Sequence, residues 1–378
     1  MARNRNIYQN ENLAVSFAAT STGSGQAAYL RRIQNFGSSH EVTKEDINQF
    51  GNLARIGALV VTSPNVSADF SYYLSDGYNE RALGFYVQDS DSFTAESSFA
   101  SGHMVASSGV NLFEIIAPEG YDANQETSLS GKWVKGFGNT YVSNYSLSAA
   151  VGQFPTVSVS VEALNVNSQQ YVYQGAITGL NTPAVNAENG TPLAQNTGVR
   201  LPLPTDGTGA GIPIVFQPKD FSISFGNFSG LGSTKNSSFH ALEGADGLSI
   251  QSVDISIPLS RTPIERLGSR FAYARPVDFP ITVSLSVSAI ANEMIARNLA
   301  SMLDDTSEGD VTVTINQPDG SAGVAYTLKG CTFDSENSSL DIGGNKTVDL
   351  TFTSQVGGIN QTNRGLFMSG SSVDPVFT

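Results

Sequence analysis

The residues able to do chemistry are few and scattered. Three histidines, His40, His103 and His240, stand apart from one another and from Cys331, the single cysteine. Zinc sites need paired Cys or His at short spacing, and no such pairing occurs. Gly207-Thr208-Gly209-Ala210-Gly211 has the glycine density of a phosphate-binding loop. It lacks the Lys-Ser/Thr that completes such a loop and any strand-to-helix frame around it. Asp304-Asp305 with Glu308 and Asp310 could crowd oxygens around calcium, but the run reads as a solvated turn. No Gly-x-Ser-x-Gly elbow is present, and no carboxylate pair is marked out for glycoside hydrolysis. A Ser-His-Asp triad assembles from distant positions, so sequence order is silent on it. Triplets such as Asn144-Tyr145-Ser146 follow from an Asn- and Ser-rich composition. The sequence therefore marks no catalytic, cofactor-binding or metal-binding residue. The expectation is a protein that builds and does not catalyse.

Composition bounds the partners. Charged residues are only 14% of the chain, against about 25% in ordinary globular proteins. Hydroxyl, amide and glycine residues take their place, as on strands with uncharged polar faces and turn-rich connections. The formal net charge is −14. Tight binding to nucleic acid rests on basic groups that displace counterions, so this balance argues against it. Hydrophobic residues at 40% suffice for real cores. No apolar run reaches the roughly 18 residues of a membrane helix, and the polar N-terminus, Met1-Ala2-Arg3-Asn4-Arg5-Asn6, has no signal-peptide core. Synthesis in a cytoplasm is expected. One cysteine leaves no intrachain disulfide, and Cys331 reads as a small buried hydrophobe. Trp133, the single tryptophan, reads as a core residue.

The elements repeat. Ile33-Gln34 set over Ile250-Gln251 defines an offset of 217, which carries Thr43-Lys44 to Ser260-Arg261, Ile47 to Ile264 and Val66-Ser67 to Val283-Ser284. Thr62 over Phe279 is a mismatch in that register. Three further blocks follow in the same order. Asn12–Phe17 matches Asp220–Phe225, Phe113–Gly120 matches Val313–Gly320, and Val157–Val161 matches Val348–Phe352. At 378 residues the chain exceeds one ordinary core. The expected organisation is a first β domain over 1–165, a linker or extended loop over 166–215, a second copy over 216–357, and a C-terminal tail over 358–378. Asn-Thr-Pro and Pro204–Gly211 mark the linker as turn-rich.

Strict alternation announces the strands. Ile281-Thr282-Val283-Ser284-Leu285-Ser286-Val287-Ser288-Ala289 sends apolar side chains to one face and hydroxyls to the other. Val157–Val161, Val311–Ile315, Val348–Phe352 and Val253–Leu259 read likewise, with Pro258 marking a strand end or an edge. One helix per unit is predicted. In the second unit Asn292 caps a stretch striped by Ile295, Leu299 and Leu303, and in the first a shorter counterpart near Asn79–Phe85 is interrupted by Gly77 and Gly84. The fold class is mainly β: two tandem copies of a β-sandwich or half-barrel domain, each with one packed helix.

Two stretches carry a family resemblance. One is Tyr141-Val142-Ser143-Asn144-Tyr145-Ser146-Leu147-Ser148, leading through Val151–Thr156 into the strand at Val157. The other is Ile250–Leu259, the Arg261–Leu267 turn and the strand at Ile281. With the duplication and the acidic, uncharged-polar surface, the chain resembles the phage tail tube family. That resemblance implies a two-sheet sandwich with a flanking helix, and a long hairpin that joins neighbouring hairpins into a continuous barrel. It also implies a virion protein whose two domains per subunit let three chains form a pseudo-sixfold ring. The partners implied are copies of the chain in stacked rings, other tail proteins (tape measure, terminator, baseplate), and DNA passing through an acidic channel without specific binding. No cofactor and no membrane are implied. Asp254 and Asp349 become candidates for the lumen or the outer face, and the turns Gly37–Asp46 and Arg261–Arg266 for contact with a neighbour. A baseplate, terminator or capsid-decoration protein, or an extracellular carbohydrate-binding or adhesin domain, are the alternatives.

Overall fold

The computed structural model of the chain describes residues 10–17, 27–60, 63–88, 97–104, 109–121, 123, 132–170, 215–217, 221–226, 249–269, 271–290, 308–317, 323–340 and 345–370. The first half contributes β1 (Glu11–Phe17), β2 (Ala27–Tyr29), β3 (Ile33–Glu41), β4 (Lys44–Ile47), β5 (Gly57–Val60), β6 (Asn65–Tyr73), helix α1 (Tyr78–Ala82), β7 (Val110–Ile116), β8 (Trp133–Ala150), β9 (Thr156–Ala163) and β10 (Asn165–Gln170). The second contributes β11 (Phe221–Phe225), β12 (Ser249–Pro258), β13 (Thr282–Ile290), β14 (Gly309–Ile315), β15 (Val324–Ser339), β16 (Thr347–Gln355) and β17 (Gly365–Gly370). The fold is mainly β, and all named strand pairs are antiparallel.

Alternation became burial where it was expected. Val283, Leu285, Val287 and Ala289 point into the core from β13, as do Val157, Val159 and Val161 from β9 and Val348, Leu350 and Phe352 from β16. Pro258 ends β12, where its missing N–H costs no central ladder bond. Most of these side chains belong to one continuous hydrophobic cluster. A smaller one, of Ala14, Ala27, Phe113, Ile115 and Val134, lies on the other face of β1, β2, β7 and β8.

Two strands follow an unusual course. The 18-residue β8 pairs with β7 and β10 through its first part and with β9 and β12 through its second. The 16-residue β15 pairs first with β14 and β17, then with β16. Each bends at a residue in the left-handed region, Asn139 at φ 53° and Gly330 at φ 56°, where the ladder slips register. A bulge adds a residue to one strand and turns it out of its sheet. The second parts meet in one eight-strand run, β3-β6-β9-β8-β12-β13-β16-β15. β1, β7 and β10 lie on one side of its core, and β11, β14 and β17 take the corresponding place in the second half.

The two halves share a strand plan. The order β3-β6-β9-β8-β7-β1 with β10 on β8 is repeated as β12-β13-β16-β15-β14-β11 with β17 on β15. Ile33 opposes Tyr72 as Ile250 opposes Ala289, both at the offset of 217, and in each case the ladder skips the next residue. The skipped residues are Gln34 and Gln251. Gln34 Nε2 donates to the carbonyls of Arg32 and Ile33, and Gln251 Nε2 to those of Ser249 and Ile250. Val142 opposes Val161 as Phe333 opposes Phe352, at an offset of 191. Two sequence registers shift. Leu112 corresponds to Val311, one residue from the expected match, and Val15 to Phe225, two residues from it.

The remaining expectations divide. α1 is a single short helix, entered through Gly77 at φ 85° and left through Gly84 at φ 96°, the interruptions expected of those glycines. The predicted helix from Asn292 lies outside the described residues. The region from Gly358 holds β17, a strand buried along its whole length, where a tail was expected. β10 occupies the start of the expected linker. Trp133 is not a core residue: it opens β8 and is 52% exposed. Gly37–Asp46 is not a long turn: all but Val42-Thr43 extend in β3 and β4.

Candidate assembly interface

Side chains with chemical potential are dispersed. His40 is exposed on β3, while His103 is buried beside Phe85, with ring centroids 4.4 Å apart. Burial pushes the His103 imidazole down to about 3, with the Arg261 charge adding to the shift. Cys331 is buried, its Sγ donates to the Gly309 carbonyl, and burial pushes its thiol up to about 12, so it stays protonated and unreactive. Glu308 pairs with Arg364 at 2.7 Å, and Asp310 accepts the Gly330 N–H. No group of three His, Cys, Asp or Glu poised for a metal occurs among the described residues. His240, Gly207–Gly211 and Asp304-Asp305 lie outside them. No helix among the described residues is long and apolar enough to cross a membrane.

The feature with the most built-in specificity is the joint between the halves. β12 adds to the open side of β8 in register, from Ser252 opposite Ala150 to Pro258 opposite Asn144. The ladder continues at both ends, through Val151 N–H to Gln251 O at 2.9 Å and Leu259 N–H to Ser143 O at 2.8 Å. Val253, Ile255, Ile257 and Leu259 enter the core there with Tyr145, Leu147 and Ala149. A folded arm follows β12, with Arg261 bridging to Val277 and Ile264 to Ala274. The arm lies on the first half. Phe271 packs on Leu164, the Arg261 guanidinium lies 4.6 Å from the Tyr141 ring centroid, and Arg275 meets Glu162 at 3.3 Å. Arg261 also donates to the carbonyls of Arg275 and His103. Burial lowers both guanidinium pKa values, and Tyr141 and Glu162 offset part of that. A buried Arg is tolerable only with such partners.

A second contact across the halves is buried and polar. Tyr72 donates to Glu80 Oε1 at 2.8 Å, Tyr145 to the same oxygen at 3.3 Å, and Tyr145 and Tyr326 share a hydrogen bond of 2.8 Å. All four side chains are enclosed. Burial pushes the Glu80 carboxyl up to about 7 although two tyrosine hydroxyls favour its charged form. Sequence reading missed this group and the Arg261–Arg275 anchor. Their one signal is Tyr145 on the apolar parity of β8, since a buried tyrosine hydroxyl requires a partner.

The counterparts of the joint, β3 in the first half and the second part of β15 in the second, carry no further strand among the described residues. Among the described residues β3 pairs only with β6, and the second part of β15 only with β16. The counterpart of the arm is the β4–β5 hairpin: Lys44 opposes Val60 and Ile47 opposes Gly57, the positions of Arg261–Val277 and Ile264–Ala274 at the offset of 217. Gly51 and Gly268 have φ of 90° and 84° at the two tips. The β4–β5 hairpin projects with Phe50 at 106% and Leu53 at 111% exposure, flanked by Ile47, Ile56 and Leu59. Asp254 and Asp349 are exposed on the eight-strand run on opposite sides of β13, Asp254 facing Ser286 from β12 and Asp349 facing Ser288 from β16.

Comparison with family models finds no match to this sequence, and comparison with curated proteins finds none. Among solved structures the chain is similar to the SPP1 tail tube, at 14% identity over 45% of this chain and 81% of that one, with a TM-score of 0.28. It is likewise similar to the tail of an empty GTA particle, at 14% identity over 37% of this chain and 94% of the other, with a TM-score of 0.26. The baseplate of the anti-feeding prophage matches at 13% identity over 40% of this chain and 94% of that one, with a TM-score of 0.26.

Proposed function

We propose that this chain is a structural, self-assembling virion protein, the subunit of a tail tube, in which two copies of one β domain make up each chain and three chains make up each ring. The observation that carries this reading is the joint of β12 on β8, whose two counterparts are unpaired among the described residues of one molecule. A strand edge is a template for another strand. Here one end of the eight-strand run offers β3 and the other offers the second part of β15. At the offsets of 217 and 191, Ile255 opposite Leu147 corresponds to Ser38 opposite Ser338 of the next chain, and Pro258 opposite Asn144 to Glu41 opposite Ser335. Such a contact joins unlike surfaces, so it closes into a ring when the rotation permits. A closed barrel of strands removes every edge.

The remaining parts of the reading follow from the resemblance and the charge. Rings stacked head to tail form a tube that binds tape measure, terminator and baseplate proteins at its ends. DNA passes through an acidic lumen, where carboxylates repel phosphate within the 8–10 Å over which salt leaves a field. No catalytic step is part of this role.

Negative-stain microscopy of the purified protein at increasing concentration tests it. Hollow threefold rings or tubes are expected. Monomers that stay dispersed at high concentration would refute the reading, and closed rings that never stack would move it to a terminator or decoration protein.

A further inference from the structure

The joint inside the chain and the joint between chains have the same backbone plan but different side chains. Inside the chain, the arm brings Arg261, Phe271 and Arg275 to Tyr141, Leu164 and Glu162. At the corresponding positions the β4–β5 hairpin has Lys44, Ala54 and Ala58, and the far end of the molecule has Thr332, Gln355 and Thr353. Neither the stacked guanidinium nor the Arg275–Glu162 pair can be made there. Three partners of the inner anchor are lost at once.

One charge replaces them. Asp334 is the counterpart of Ser143, the residue whose carbonyl takes the Leu259 N–H at the mouth of the inner joint. Its carboxylate is exposed and held between the two neighbours that stand for Tyr141 and Glu162: Thr332 donates to one oxygen at 2.9 Å and Thr353 to the other at 2.6 Å. It therefore occupies the space that, in the inner joint, lies between the partners of Arg261 and Arg275. Lys44, the counterpart of Arg261, is the cation that the hairpin delivers to that place. On the same hairpin Arg55 is already tied to Asp46 at 2.6 Å.

We propose that Lys44 of one chain pairs with Asp334 of the next copy, and that this single ion pair, with the apolar hairpin tip beside it, fastens the joint between chains. The pair rests on the reading of the chain as a ring former and adds which residues close the ring. A lone Lys–Asp pair at a rim is worth far less than a buried Arg anchor with stacking. The joint between chains is thus the weaker of the two, so each chain folds as one unit first and rings form afterwards, reversibly and with salt sensitivity.

Charge reversal tests the pair. Lys44→Glu and Asp334→Lys are each expected to raise the protein concentration needed for half-maximal ring formation by about tenfold at low salt, and the two together to restore it to within about threefold of wild type. Ring formation is read by sedimentation and microscopy. Both positions are exposed, and Asp334→Asn, which keeps an acceptor for the threonines, serves as a milder variant expected to show the same direction of change. Single variants that assemble like wild type, or a double variant no better than either single, overturn the pair while leaving ring formation standing. A wild-type chain that forms no rings overturns the ring reading and the pair with it.

Discussion

Glu80 and His103 put opposite pH dependences into the same core. The Glu80 carboxyl is pushed up to about 7 in the folded chain, whereas an exposed Glu titrates near 4.3. Between those values the folded state holds the extra proton, so stability falls as pH rises from about 4.5 to 7. The His103 ring is pushed down to about 3, against about 6.5 when exposed. There the unfolded state holds the extra proton, and stability falls as pH drops from about 6.5 towards 3. Each slope is at most about 1.4 kcal/mol per pH unit. They oppose one another between about pH 4.5 and 6.5, where the wild-type unfolding midpoint is expected to be nearly flat. Glu80→Gln keeps an acceptor for Tyr72 and Tyr145 and removes one slope. Its midpoint should rise above wild type at pH 8 and fall steadily below pH 6; denaturant titrations from pH 4 to 8 that give parallel curves for the two proteins would contradict this. Glu80→Ala leaves two tyrosine hydroxyls without that acceptor and should cost about 1–3 kcal/mol at pH 5.

The bent strands decide how the elements meet. Gly330 turns β15 at φ 56°, and a Cβ there would come within 2.8 Å of the Asn363 carbonyl. Gly330→Ala therefore combines a left-handed strain with a close backbone contact, and an unfolding free energy lower by about 1–3 kcal/mol is expected. Equal stability by chemical denaturation would show that the bend is not held there. The open edge of β3 calls for a different substitution. In the inner joint the donors of β12 towards β8 are alternate residues in step with Leu259, whose N–H reaches Ser143. Ser38, the counterpart of Ile255, is in that set. Ser38→Pro should leave the thermal midpoint within a few degrees while abolishing rings, because an edge strand tolerates Pro only on the side that lacks a partner. Rings that persist in this variant would rule β3 out as the joining edge.

At the scale of the whole molecule the charge of −14 governs encounters. With so few basic groups there is little counterion release to gain from DNA. Fluorescence anisotropy with a labelled duplex should show no binding at micromolar protein even at low salt, for monomers and rings alike. Binding that weakens steeply with added salt would place an unrecognised basic surface on the assembly. The two halves should also unfold together. They share one core and one continuous ladder across β8 and β12, so a large-to-small change at that ladder, Ile255→Ala, is expected to lower the midpoint of a single transition by the equivalent of about 2–5 kcal/mol. Two separated transitions in calorimetry would mean that the halves are independent.

Much of this plan was legible from side-chain types. Strict alternation placed β9, β12, β13, β14 and β16, because one dry and one wet face leave a period of two in the sequence. The offset of 217 was readable at β3 and β6 because Ile33-Gln34 and Ile250-Gln251 conserve a bulge that needs the same glutamine hydrogen bonds in both places. The register at β7 was not readable. Leu112 faces the main core while Phe113 and Ile115 face the small one, and a strand buried on both faces has no alternation to fix it. β17 was missed because Leu366-Phe367-Met368 is a short apolar run in a region rich in Gly, Ser and Asn, and its partner β15 lies far away in sequence. Tertiary structure alone decided that β12 would close on β8, that β3 and the end of β15 would each have one strand partner among the described residues, and that Tyr326 would reach Tyr145 across 181 positions of the chain. Alternation reports which face of a strand is dry; which edge meets which depends on pairings between distant segments, and no local pattern encodes those.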